Sequence, residues 1–174
     1  MPAANPLPPP RKLYQMTKGL ELGPERTRAV LDFLVRFSQC VNGWLFLARG
    51  GEIESVVGTR QGAPAAELLA EARSIWRREL DKQPEDLRTQ TVNSSGVERL
   101  PELLARPRWT SPDGLQYVHQ LLSVYRGLSW VPLGIAMLEL GPAAVTPLRQ
   151  PYIDALCNAL LDAGDVDDDR QRPV

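Results

Sequence analysis

The feature that most constrains this chain is an abrupt change of hydrophobic period between residues 24 and 57. Val30, Leu34, Phe37 and Val41 recur at spacings of 4, 3 and 4, with Leu31 and Phe33 widening the stripe. Arg26, Arg28, Asp32, Arg36 and Gln39 fill the other side. This is the period of an amphipathic helix with a broad buried face. Pro24 suits its first turn, Glu25 suits the positive end of its dipole, and Asn42-Gly43 is expected to stop it. The pattern then switches. Trp44-Leu45-Phe46-Leu47-Ala48 is a short apolar run, Arg49-Gly50-Gly51-Glu52 is a tight turn, and Ile53 to Val57 runs back. Two glycines tolerate the positive φ of a hairpin turn, so residues 44–57 read as a β-hairpin. A helix feeding directly into a hairpin calls for a fold that lays helices on an antiparallel sheet.

The remaining elements extend that scheme. Pro64 opens a second helix with Leu68, Leu69, Ala72, Ile75, Trp76 and Leu80 on its stripe, and Pro84 is expected to end it. Residues 85–113 are irregular, with a short edge strand over Leu87 to Val92, a turn at Ser94-Ser95-Gly96 and helical turns over Val97 to Leu104. Leu115 to Tyr125 and Ser129 to Leu140 read as two long antiparallel strands joined at Arg126-Gly127, although residues 115–122 also admit a helix. Pro151 opens the last helix, whose stripe is Ile153, Leu156, Cys157, Leu160 and Leu161, with Gly164 as its cap. The expected fold is α+β: one antiparallel sheet of five to six strands, with the first and last helices packed together on one face. Residues 1–22 are expected to be a disordered Pro-rich arm, 23–164 the domain, and 165–174 a mobile acidic tail.

Charge and length narrow the function classes. The chain has 174 residues, the size of one domain, and a net charge of −1. Residues 1–22 carry a net +2 and residues 162–174 a net −3, leaving a neutral body. Nucleic-acid binding needs a clustered basic face, so it is not expected. Seventeen of the twenty cations are Arg, which reads as a GC-rich genome. No apolar run approaches the ~20 residues of a membrane helix, and the N-terminus lacks the apolar core of a signal peptide. Cys40 and Cys157 have no nearby Cys or His at metal-ligand spacing, so a reduced cytoplasmic setting with neither metal nor cofactor is expected.

The end of the chain carries a family resemblance. Trp130-Val131-Pro132-Leu133-Gly134-Ile135-Ala136-Met137-Leu138-Glu139-Leu140, a Pro-containing loop, and Tyr152 to Leu161 resemble the closing strand, loop and helix of a GAF domain. The opening helix followed by Gly43-Trp44-Leu45-Phe46-Leu47 is similar as well, and the resemblance spans roughly residues 24–162. It implies a small sensory fold related to PAS domains, which regulates through protein contacts, commonly dimerises through its outer helices, and can hold a small ligand over the sheet. The chain has no Cys where a bilin-attaching domain needs one, and it lacks the Asn-Lys-X-Phe-Asp-Glu pattern of cyclic-nucleotide-binding GAF domains. The roadblock fold shares the element order. It implies a dimeric scaffold or small-GTPase regulator, with residues 85–113 as an insertion.

Several residues are candidates for chemistry. Cys40 and Cys157 read either as a redox pair or as two small buried hydrophobes, and the second reading is adopted. His119 lacks a partner set for general-base work and reads as structural. Ser94-Ser95-Gly96 lacks the pattern of a phosphate loop, and the aspartates after Asp162 lack the glycine and glutamate of a calcium loop. Trp109 with Tyr117 or Tyr125 is a candidate wall for a ligand pocket. Phe33, Phe37, Val41, Ile153, Leu156 and Leu160 form an apolar surplus on the outer helices, the candidate surface for a protein partner or a second copy. The expected function is a non-catalytic regulatory module, with a thiol-dependent enzyme as the remote alternative.

Overall fold

The computed structural model describes residues 7–20, 24–49, 51–81, 108–146 and 148–171, the last ten by backbone only. In chain order the elements are α1 (Pro10–Lys18), α2 (Pro24–Phe37), β1 (Asn42–Arg49), β2 (Glu52–Gly58), α3 (Ala66–Asp81), β3 (Trp109–Thr110), β4 (Gln116–Arg126), β5 (Ser129–Glu139) and α4 (Gln150–Gln171). The five strands form one antiparallel sheet in the order β2-β1-β5-β4-β3. The expected α+β class, the hairpin and the two long strands are all present. The expected turn at Ser94-Ser95-Gly96, the edge strand over Leu87 to Val92 and the helical turns over Val97 to Leu104 lie outside the described residues.

Strand β5 sits between β1 and β4, so helices cover it on both faces. Ile135, Ala136 and Met137 are all fully buried and Leu138 nearly so. That is why this strand reads as a continuous apolar run and not as an alternation. On one face α1, α2 and α4 pack on Leu45, Leu122, Val124, Ala136 and Leu138. On the other, Leu68, Ala72 and Ile75 of α3 pack on Phe46, Tyr117, Ile135 and Met137. Each fully buried large side chain stabilises the fold by roughly 1.5–3 kcal/mol. The Trp76 indole N–H donates to Gly51 O at 3.0 Å, pinning α3 to the hairpin turn, where Gly51 takes φ +87°.

Three boundaries differ from the sequence expectation. Helix α2 stops at Phe37, earlier than the expected Asn42-Gly43. Gln39 adopts φ 61°, its N–H donates to Arg36 O, and the Cys40 N–H donates to Val35 O. This is a Schellman cap built on a non-glycine residue, so Cys40 lies beyond the helix and Asn42-Gly43 begins β1. The N-terminal arm contains a helix. Pro10 falls in the first turn of α1, where no N–H is needed, and Leu13 and Thr17 bury on one face. The last helix passes through Gly164 to Gln171, so the expected cap at Gly164 is absent. Gly costs an interior helix only about 1 kcal/mol, and no proline follows until Pro173.

Arg26 also departs from expectation. The helical spacing puts it on the solvent side of α2, yet it is only 4% exposed. Its Nη2 donates to Lys18 O and Leu20 O at 2.7 and 2.8 Å, and its Nη1 donates to Ala159 O at 3.1 Å. One guanidinium therefore ties the C-terminal carbonyls of α1 and the middle of α4 to α2. A cation beside the exposed carbonyls of a helix C-terminus is favoured electrostatically.

Candidate functional site

The sheet places four side chains in one row on the α3 face. Trp109 of β3 is opposite Tyr117 of β4, Tyr117 is opposite Glu139 of β5, and Glu139 is opposite Asn42 of β1. Directly opposed residues share a face with Cα atoms about 4.5–5.5 Å apart, so the row is contiguous. The next row on this face is His119, Met137, Trp44 and Gly58. Trp109 and Tyr117 have ring centroids 5.8 Å apart at a tilt of 42°.

Glu139 is the unusual member. Its residue is only 7% exposed, and its Oε2 accepts from Asn42 Nδ2 at 3.2 Å. The amide orientation is set from behind. The Gly43 N–H donates to Thr59 Oγ1 at 3.1 Å, and the Thr59 hydroxyl lies 3.3 Å from Asn42 Oδ1, which accepts its proton. Asn42 therefore turns its NH2 toward the carboxylate. Asp113, hydrogen-bonded to the Ser111 hydroxyl, stands near the aromatic end of the row. Burial holds the Tyr117 phenol above its ordinary range, and the nearby negative charges of Glu139 and Asp113 push it the same way against an opposing effect of Arg60.

The expected pocket residues divide. Trp109 and Tyr117 are brought together, whereas Tyr125 pairs with Trp130 at the far end of β4 and is no part of this row. Tyr125 lies eight residues beyond Tyr117 along β4, roughly 26 Å of extended chain. Asn42, Thr59 and Glu139 were not anticipated. The signal for Glu139 was a single carboxylate set between Leu138 and Leu140 in an otherwise apolar run.

The proposed partner surface is smaller than expected. Ile153 and Leu156 are 2% and 0% exposed and belong to the core, so they are not available to a partner. The stripe is a surplus only while α1 is left out, because α1 packs against α4 and takes up apolar surface there. Phe33, Phe37 and Leu160 are half-buried, and Val41 is exposed. The Phe33 and Phe37 rings lie 4.3 Å apart.

The thiols are free and their settings differ from those of nucleophiles. Burial pushes Cys40 up to about 11 and Cys157 further still. A thiol held protonated is a poor nucleophile, which fits small buried hydrophobes. His119 is half-buried on β4 in the second row. Among the described residues, no group of His, Cys, Asp and Glu side chains could hold a metal ion, and no helix is long and apolar enough to cross a membrane. An open cleft of about 500 Å³ lies between α1 and α4, lined by Arg11, Tyr14, Pro151, Asp154 and Asn158 among others. Its two charged residues oppose each other in sign, so it carries less ligand preference than the row on the sheet. Comparisons of the chain with protein-family models, with curated proteins and with solved structures find no match.

Proposed function

We propose that the chain is a non-catalytic regulatory module that binds a small molecule on the α3 face of its sheet and acts on other proteins by contact. The observation that carries this reading is the row Trp109–Tyr117–Glu139–Asn42, in which two aromatic rings, a buried carboxylate and an oriented amide converge from four strands. A few placed polar groups beside aromatic walls are the usual make-up of a small-ligand site. The order helix, hairpin, helix, two long strands, helix supports a GAF-like sensory module. The protonated thiols weigh against the thiol enzyme.

The test is a thermal-shift screen of nucleotides, amino acids, amines and organic acids, followed by tryptophan fluorescence titration of any hit. At least one ligand is expected to raise Tm, with the effect weakened in Trp109→Leu. A flat screen refutes the ligand reading.

A second reading draws on the half-buried Phe33–Phe37 pair and exposed Val41. These favour a roadblock-like scaffold that pairs with a second copy or another protein. Light scattering tests it: a dimer that dissociates in Phe37→Ser supports it, and a strict monomer refutes self-pairing.

A further inference from the structure

We infer that the row on the α3 face takes a small cation, an alkylammonium or quaternary ammonium group, with its charge against Glu139 and its alkyl groups against Trp109 and Tyr117. The inference rests on the ligand reading above and adds the class of ligand.

Three observations converge on it. First, Glu139 is a carboxylate on a residue 93% buried whose hydrogen-bond partner is the neutral Asn42 amide, and among the described residues it makes no ion pair. Buried charges in proteins are normally paired, because burying one alone is costly. Second, the neighbouring side chains toward the sheet edge are aromatic. Ring faces attract cations by about 0.5–2 kcal/mol, most strongly when water is excluded. Third, among the described residues the charge near Tyr117 is predominantly negative. Asp113 adds a second carboxylate near Tyr117, while the Arg60 side chain belongs to an exposed residue and forms no ion pair with Glu139. An anionic ligand would face both carboxylates, and a neutral one would leave Glu139 uncompensated.

The entry side is the edge of the sheet formed by the described strands. Trp109 is half-exposed on a strand of two residues, paired only through Trp109 and Thr110. Tyr117 and Glu139 are buried, so a ligand reaches them by displacing the Trp109 ring.

The experiment uses the full chain and three probes of similar size: choline, its uncharged carbon isostere dimethylbutanol, and butyrate, each at constant ionic strength. Choline is expected to raise Tm and shift tryptophan fluorescence, with dimethylbutanol about tenfold weaker or more and butyrate silent. Glu139→Gln, which keeps the shape and the hydrogen-bonding capacity toward Asn42, is expected to lose about tenfold in choline affinity. Should that variant fail to fold, Trp109→Leu at the half-exposed edge is expected to lose about fivefold. Equal binding of choline and dimethylbutanol, or choline binding unchanged in both variants, overturns the cation assignment and leaves a ligand site of another class. Silence toward all three probes, together with a flat metabolite screen, overturns both.

Discussion

Gly134→Ala is expected to be the most damaging single methyl this sheet can receive. Gly134 lies on β5 opposite Leu47 of β1 on one side and Leu122 of β4 on the other. A Cβ there would stand 2.1 Å from Phe46 O and 3.1 Å from both Leu47 Cα and Phe46 C. Non-bonded atoms of this kind sit best at about 3.5–4.0 Å, so the overlap exceeds 1 Å and falls on backbone that cannot rotate away. Relief requires β1 and β5 to part by about 1 Å, which stretches their ladder beyond hydrogen-bonding range. About two backbone hydrogen bonds at ~1 kcal/mol each, plus overpacking of about 1–3 kcal/mol, give a loss of about 3–5 kcal/mol. That is a large share of the ~5–15 kcal/mol that holds a domain folded. Gly51→Ala is the matched control. Nothing lies within 4 Å of its Cβ position, and only the φ of +87° is strained, at about 1–2 kcal/mol. Urea unfolding followed by circular dichroism, with the slope m compared across variants, measures both. The reasoning is refuted if Gly134→Ala unfolds within 1 kcal/mol of the parent, or no earlier than Gly51→Ala.

Other outcomes follow from individual contacts. Gln39→Gly should stabilise the protein by about 0.5–1 kcal/mol in the same assay, because Gln39 holds φ 61° in the cap of α2. Arg26→Met should destabilise by about 2–4 kcal/mol, leaving three carbonyls without their charged donor, and should expose the α1–α2 connection to limited proteolysis. Trp76→Phe should cost about 1–2 kcal/mol by removing the bond to Gly51 O, read from the urea midpoint. Burial raises the Cys40 thiol from 9.0 to about 11, so as pH rises the unfolded chain releases this proton first. Stability should therefore fall between pH 9 and about 11, and Cys40→Ala should flatten that part of the profile. A thiol reagent should label Cys40 faster as pH climbs through the same window and should reach Cys157, fully buried, only on unfolding.

The elements were legible where chemistry is local. The hairpin announced itself through Gly50-Gly51 between two apolar runs, and α2, α3 and α4 through stripes at helical spacing. Elsewhere two local signals compete. Prolines 8 to 10 suggested an extended arm, yet proline is also the residue that starts a helix, and the burial of Leu13 settled the choice. Gly164 suggested a stop, but a glycine ends a helix only when the chain turns there. Arg26 looked solvated because charge on a helix usually is, and its burial depends on carbonyls supplied by α1 and α4.

Half of the candidate site was visible as aromatic residues, Trp109 and Tyr117, without any indication that Tyr125 stood apart from them. Period and turn chemistry act over a few residues, so the chain on its own dictated the kind of most elements, though not α1 or β3, and the antiparallel pairing of β1 with β2 and of β4 with β5. Strand order belongs to another scale. Placing β5 between β1 and β4 brings Asn42 against Glu139 across 97 residues of sequence. Closing so long a loop costs little more entropy than closing one half its length. What selects the arrangement is the burial of both faces of β5 beneath helices from opposite sides, a collective property of packing that no local pattern encodes. The carboxylate and its aromatic neighbours become a single site only after that packing is complete.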